Sequence, residues 1–171
     1  MIFGKTPDSR LITVRRGGTL QDADHRLLAM WAADCAQHVL PWFEQAQPVD
    51  DRPRRAIEAA HAWARGELTM TRARSAGGHT KGAARELKGA AREAAFAAGQ
   101  AGVVAHVAAH ELGAAAYAIQ AARATAPAPE RLEAGRLECQ WQRTHLPAEI
   151  RALVLDVQRL RNEYCWYVFE C

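Results

Sequence analysis

Asp24-His25-Arg26-Leu27-Leu28-Ala29-Met30-Trp31-Ala32-Ala33-Asp34-Cys35, continuing through Val39-Leu40-Pro41-Trp42-Phe43-Glu44, decides the fold of this chain. Leu28, Trp31, Cys35, Val39 and Trp42 recur at steps of three and four, so a helix brings them onto one face. Thr19, three residues before Asp22, offers a side-chain cap for the start of that helix. Pro41 lacks an N–H and crowds the preceding turn, so a kink or an end is expected near Leu40. Beyond Gln47-Pro48-Val49, a second helix is expected to start with Asp51 as cap and Pro53 in its first turn. Ala56-Ile57-Glu58-Ala59-Ala60 forms its body and Gly66 its stop.

Helical spacing continues outward from there. A short polar helix is expected over residues 68–74, broken by Gly77-Gly78. Another runs over residues 81–98, a turn over 99–102 and a further helix over 103–124. Pro127 and Pro129 mark residues 125–129 as a linker. A charged helix over 130–145 aligns Leu137, Trp141 and His145. Pro147 opens the last one, with Ile150, Leu153, Val154, Val157 and Leu160 as its apolar stripe. On the N-terminal side, Leu11-Ile12-Thr13-Val14-Arg15 is a short β-like run stopped by Arg16-Gly17-Gly18, so residues 1–18 read as an extended arm. The expected architecture is a single all-α domain over residues 1–171: a helical bundle or paired-helix array of about six helices with a short extended N-terminal arm. A weak echo at an offset of 35, Ala56 and Glu58 against Ala91 and Glu93, is what favours the paired-helix alternative.

Composition says how such a core is made. About one residue in five is alanine, which favours helix but buries little area. Closely packed Ala faces must therefore combine with a few large anchors, among them five Trp and four Phe. The net charge is +3, yet seven Lys/Arg against three Glu fall between Arg65 and Glu93, so the basic excess is local. The longest apolar runs fall far short of the roughly 18 residues of a membrane span. Met1-Ile2-Phe3 before Gly4-Lys5 is no signal-peptide core, and a cytoplasmic, membrane-free protein is expected. Cys35, Cys139, Cys165 and Cys171 form no C-x-x-C pair and are expected to be reduced structural thiols.

Few motifs carry chemistry. Gly4-Lys5-Thr6 lacks the strand and the earlier glycine that a phosphate loop needs. His106 and His110, four apart, have metal-ligand spacing on one helical face, which would make a divalent metal site and a metal-dependent helical enzyme. His110-Glu111-Leu112-Gly113-Ala114 starts like the zinc-protease motif, but its second histidine is alanine, and no resident cofactor is expected. Asp24-His25 and Asp50-Asp51 sit near helix starts, where carboxylates serve as caps. Lys81, Arg85, Lys88 and Arg92, spaced four, three and four, form a basic stripe able to take anions or nucleic acid, though no aromatic residue interleaves it. Trp166, Tyr167 and Phe169, within an apolar closing segment, pack on the body or on a partner, either another protein or a second copy. No G-x-S-x-G and no Gly-rich nucleotide loop is present, so no catalytic residue is assigned.

Taken together, several of these segments resemble the immunity-protein-five-like family of bacterial immunity proteins from polymorphic toxin systems. They are Arg15-Arg16-Gly17-Gly18-Thr19-Leu20, Asp24-His25-Arg26-Leu27-Leu28, Trp31-Ala32-Ala33-Asp34-Cys35 and Asp51-Arg52-Pro53-Arg54. Ala62-Trp63-Ala64-Arg65-Gly66, Ala105-His106-Val107-Ala108-Ala109-His110 and Pro147-Ala148-Glu149-Ile150-Arg151 continue the set, which closes with Asn162-Glu163 and Cys165-Trp166. The resemblance implies an all-helical, non-catalytic module that binds a toxin and blocks its active surface. An inhibitor of a basic nuclease would present acidic groups, whereas this chain is mildly basic.

Overall fold

Helix α1 (Asp22–Ala46) is the spine of the molecule. The face read from the sequence is the buried one: Leu28, Trp31, Cys35 and Val39 are sealed from solvent, and Trp42 is half-buried at its end. In this computed structural model, which describes residues 7–171, six further α-helices pack around it and no strand forms among the described residues. They are α2 (Arg52–Ala64), α3 (Met70–Ala84), α4 (Gly89–Val103), α5 (His110–Thr125), α6 (Arg131–Thr144) and α7 (Ala148–Arg161). Helices α1, α4 and α5 all pack against one another and form the centre. Helices α2 and α3 lie against α4, and α6 lies against α5. Contacts between helices distant in sequence make this a bundle rather than a linear stack of repeats. The alanine distribution explains the layout. Ala94, Ala95, Ala97, Ala98 and Ala101 of α4 and Ala114, Ala115, Ala116 and Ala118 of α5 are buried on nearly all sides, as central helices require.

Several local expectations are corrected. Helix α1 does not end at Leu40 but continues past Pro41 to Ala46. Pro41 and Gln37, whose carbonyl loses its i+4 donor, both lie on the exposed side, where solvent serves the freed carbonyl. Thr19 does not cap α1; its hydroxyl donates to the Ser9 carbonyl at 3.5 Å, and Asp22 and Asp24 in the first turn favour the helix electrostatically. At α2, the Asp50 carboxylate rather than that of Asp51 accepts from the Arg52 N–H, at 3.1 Å. The arm over the described residues is not extended throughout. Two 3-10 turns, Ser9–Leu11 and Val14–Arg16, and a lone bridge between Thr13 and Leu20 fold it onto the body. Gly4-Lys5-Thr6 and Met1-Ile2-Phe3 lie outside the described residues.

Glycine is the main source of difference. Gly77-Gly78 does not break a helix, because α3 passes through both. A Cβ on Gly77 would sit 2.8 Å from the Gly99 carbonyl oxygen and 2.9 Å from the Gly102 carbonyl carbon. One on Gly102 would sit 2.7 Å from the Gly77 Cα. Gly77, Gly99 and Gly102 therefore let the α3 and α4 backbones touch, and residues 99–102 are helix rather than turn. The reversal falls instead at residues 85–88, before Gly89 with its φ of +61°.

The cysteines are not all reduced. Cys139 of α6 and Cys171 are joined in a disulfide, Cα to Cα 6.0 Å, while Cys35 and Cys165 are free and buried. Helix α6 also packs by a different face from the one expected. Leu137 is exposed, and Gly135, Glu138, Cys139 and Gln142 point inward. Trp141 is stacked between His38 and His145, with centroids at 3.7 and 4.1 Å. In α7, Ile150, Val154 and Val157 are buried as the stripe required, but Leu160 is exposed.

Candidate partner-binding site

Three of the aromatic residues that are not fully buried meet in one groove. Phe96 of α4, Tyr117 of α5 and Trp166, just past α7, form a row with 5.2 Å between successive ring centroids. Arg92, four residues before Phe96 and so directly above it on α4, lays its guanidinium 4.7 Å from the Phe96 centroid. Arg123 of α5 and Arg131 and Leu132 of α6 complete the walls of a groove of about 770 Å³, open to solvent. Glu93, paired with Arg92 at 3.0 Å, is the lone acid among its lining residues. Burial raises the Glu93 carboxyl and the Tyr117 phenol above their usual pKa values. The groove therefore carries a positive excess beside apolar rings. Leu132 is 74% exposed and Trp166 45%, an arrangement that leaves sizeable apolar area facing water.

Its shape depends on two local devices. Gly135 of α6 makes room for Arg123: a Cβ there would come within 2.7 Å of the Arg123 Cγ. The Arg123 Nε is buried and has no hydrogen-bond partner, so one donor at the groove is unsatisfied. The second device is a strap over residues 162–171. Trp166 and Tyr167 both take φ of +55°, the left-handed region that bulky side chains avoid. Asn162 holds the turn by accepting from the Tyr167 N–H at 2.9 Å through its carbonyl and from the Phe169 N–H at 3.0 Å through its side chain. Arg143 donates to the carbonyls of Phe169 and Cys171 at 2.9 and 2.8 Å, and the Cys139–Cys171 bridge fixes the segment to α6. Strained backbone persists where its surroundings over-determine it; here they hold Trp166 and Tyr167 outward.

The sequence candidates distribute unevenly over this geometry. Trp166 is in the groove, Tyr167 is exposed beside it, and Phe169 is 5% exposed within the core, so Phe169 is an anchor and not a contact surface. The basic stripe does not exist as one face. Lys81 lies in the last turn of α3, Arg85 and Lys88 are the first and last residues of the reversal, and only Arg92 stands in α4, where it joins the aromatic row. The histidine pair is divided in the same way, because α4 stops at Val103 and α5 starts at His110. His106 thus lies in the connection. His110 shares a hydrogen bond of 2.7 Å with the Gln100 side chain, and burial pushes its pKa down to about 4. No group of three His, Cys, Asp or Glu suited to a metal ion occurs among the described residues. Glu111 is wholly buried, both oxygens unpartnered, and burial lifts its pKa to about 8, so it is no solvent-facing base. Phe96, Tyr117, Arg123 and Arg131 escape the sequence reading because they lie on three helices, α4, α5 and α6, whose side-by-side placement brings them together.

A model of the Imm-5 like putative immunity protein family matches residues 18–149. No curated protein and no solved structure matches the chain. No helix among the described residues is long and apolar enough to cross a membrane.

Proposed function

The chain belongs to the Imm-5 like putative immunity protein family, and from that premise we propose that it neutralises a toxin by non-covalent binding through the groove between α4, α5, α6 and Trp166. The observation that carries this reading is the strapped turn that holds Trp166 and Tyr167 exposed beside Arg92, Arg123 and Arg131. Trp, Tyr and Arg are the residues that dominate binding energy at protein interfaces, because they combine large apolar area with directed polar groups. The surplus of arginine selects a partner surface that is acidic and partly apolar, so the toxin presents carboxylates rather than the basic face of a nuclease. Binding rests on a pre-formed surface: the strap has already fixed the aromatic side chains, so little conformational entropy is lost on association. The mechanism is occlusion, and it needs neither catalysis nor a cofactor.

The test starts with the tagged full chain in nuclease-treated lysate, which retrieves a stoichiometric protein. Expression of that protein alone arrests growth, and co-expression of this chain restores it. Trp166→Ala with Arg131→Ala, both exposed in the groove, abolishes the rescue while the chain's thermal midpoint stays within a few degrees of the parent. Full rescue by this double variant, at equal expression, refutes the assignment of the groove.

A further inference from the structure

A second concavity is built from different parts of the chain. The folded arm, the first turn of α1, the end of α2 and the connection between α4 and α5 enclose a cleft of about 320 Å³. Arg15, Arg16 and Arg26 line it, together with His106 and the apolar side chains of Trp63 and Met70. His25 and Asp22 complete its polar surface. With both histidines neutral, three guanidiniums and one carboxylate leave a formal excess of +2 in a small space. Arg15, Arg16, His25 and Arg26 come from the first 26 residues, and His106 reaches the same cleft from the connection between α4 and α5.

We infer that this cleft binds a phosphate group, carried by a small molecule or free in solution. Arg15 is occupied by Asp22 in an exposed pair. Arg16 and Arg26 meet no carboxylate among the described residues; each spends one N–H on a main-chain carbonyl, of His106 and of Ala64, both at 3.2 Å. Each guanidinium keeps four further N–H groups in the planar fork that matches phosphate oxygens. A phosphate monoester carries about −1.5 to −2 at neutral pH, which balances the excess of the cleft, whereas a single carboxylate balances half of it. His106 lines the cleft, and its Nδ1 is buried without a partner. His25 is fixed by its Nε2–H, which donates to the Val104 carbonyl at 2.7 Å, and its ring meets Trp63 edge-on at 4.8 Å.

The electrostatics agree with the geometry. Burial, and then the charges of Arg74 and Arg16, hold the His106 imidazole below its usual pKa. Burial likewise lowers His25, opposed by its Val104 bond and by Asp22 and reinforced by Arg16 and Arg15. A dianion seated between Arg16 and Arg26 reverses the field at His106 and draws its titration upward. The size of the cleft lies at the low end for small-molecule sites, and its one indole offers no row of stacking surfaces, so a nucleic-acid strand is not the occupant. This cleft shares no lining residue with the Trp166 groove, so the two sites stand or fall separately.

The experiment is an NMR titration of the histidine rings in the full chain, in sodium phosphate and in sodium chloride of equal ionic strength. The His106 midpoint rises by about one unit in phosphate, a tenfold stabilisation of the imidazolium, while His110, held by Gln100, moves less. Arg16→Ala with Arg26→Ala removes the rise and leaves the thermal midpoint unchanged. Phenyl phosphate that binds at least tenfold more tightly than orthophosphate assigns the site to a monoester packed on Trp63; equal affinity assigns it to free phosphate. An identical His106 titration in phosphate and chloride, or a rise that survives the double substitution, overturns the inference.

Discussion

Gly77 and Gly78 are neighbours in α3, both inside one helix, yet alanine at each should act with opposite sign. Gly78 is exposed, and a Cβ there meets nothing within 4 Å. Alanine at that position only removes backbone freedom from the unfolded chain and improves helix propensity, a gain of about 1 kcal/mol. Gly77 receives the same propensity gain. Its Cβ, however, arrives 2.8 Å from the Gly99 carbonyl oxygen, 2.9 Å from the Gly102 carbonyl carbon and 2.9 Å from the Val103 Cγ1. Two of those atoms are backbone of a helix packed on every side, so no rotamer change relieves the clash. To reach ordinary contact at about 3.5 Å, α3 must retreat by roughly 0.7 Å. That opens gaps along the rest of the α3–α4 seam, and overpacking of this kind destabilises by about 1–3 kcal/mol.

The net expectation is a loss of about 0–2 kcal/mol for Gly77→Ala and a gain of about 1 kcal/mol for Gly78→Ala, a separation of about 1–3 kcal/mol. For a domain of this size each kcal/mol moves the thermal midpoint by about 2–4 °C. Urea denaturation at neutral pH, with a common m-value, separates the two variants by a difference well above its error. The reasoning fails if Gly77→Ala is as stabilising as Gly78→Ala, since the two helices then do not approach through their glycines. It fails equally if both variants are destabilised alike, since Gly77-Gly78 then does interrupt the helix.

Other perturbations have outcomes as definite. The native Glu111 carboxyl titrates near 8 against an ordinary 4.5, so the folded state holds a proton the unfolded state has released, and stability falls as pH rises between those values. Glu111→Gln removes a penalty of about 3 kcal/mol at pH 7 and almost none at pH 4; a gap between variant and parent that does not change with pH, measured by urea unfolding, refutes this. The Cys139–Cys171 bridge spans 32 residues, so Cys171→Ser should lower stability by about 3.5–4 kcal/mol, and an unchanged midpoint in dithiothreitol shows that the bridge does not form. Cys35 and Cys165 are buried with pKa values pushed upward, the latter to about 12, so thiol reagents label neither in the native protein; rapid native labelling of either contradicts the packing.

Periodicity made the helices legible, and the limits of periodicity account for the corrections. The α1 face and the Gly66 stop follow from local spacing, and both stand in the structure. Gly77-Gly78 and Gly99–Gly102 carry the same local signal as a turn, because a glycine that permits a bend and one that permits two helices to touch look alike without the neighbour. That ambiguity displaced a helix boundary, and the basic stripe and the histidine pair both depended on where the boundary fell. Pairing of Cys139 with Cys171 was invisible for a related reason: it requires knowing that the chain returns to α6 after α7. Trp166 was identifiable as a large apolar side chain in a closing segment, but its neighbours Phe96 and Tyr117 look like ordinary core positions until α4 and α5 are placed side by side.

The boundary of the family match bears on how the two sites divide their work. Residues 18–149 include the groove's Arg92, Phe96, Tyr117, Arg123 and Arg131, and the cleft's Arg26, Trp63 and His106. Each site is then completed from outside that stretch, the groove by Trp166 and the cleft by Arg15 and Arg16. The flanking segments are also the ones fastened by special means: the arm by its Thr13–Leu20 bridge and by the bonds of Arg10 to Asp8 and Asp156, the strap by Arg143 and a disulfide. Together with the buried anchors Leu11, Cys165, Val168 and Phe169, this fastening holds the exposed side chains of each segment in a fixed place. If the two proposed sites bind as argued, substitutions at residues 15–16 and 166–167 change binding while leaving the packing of α1, α4 and α5 intact.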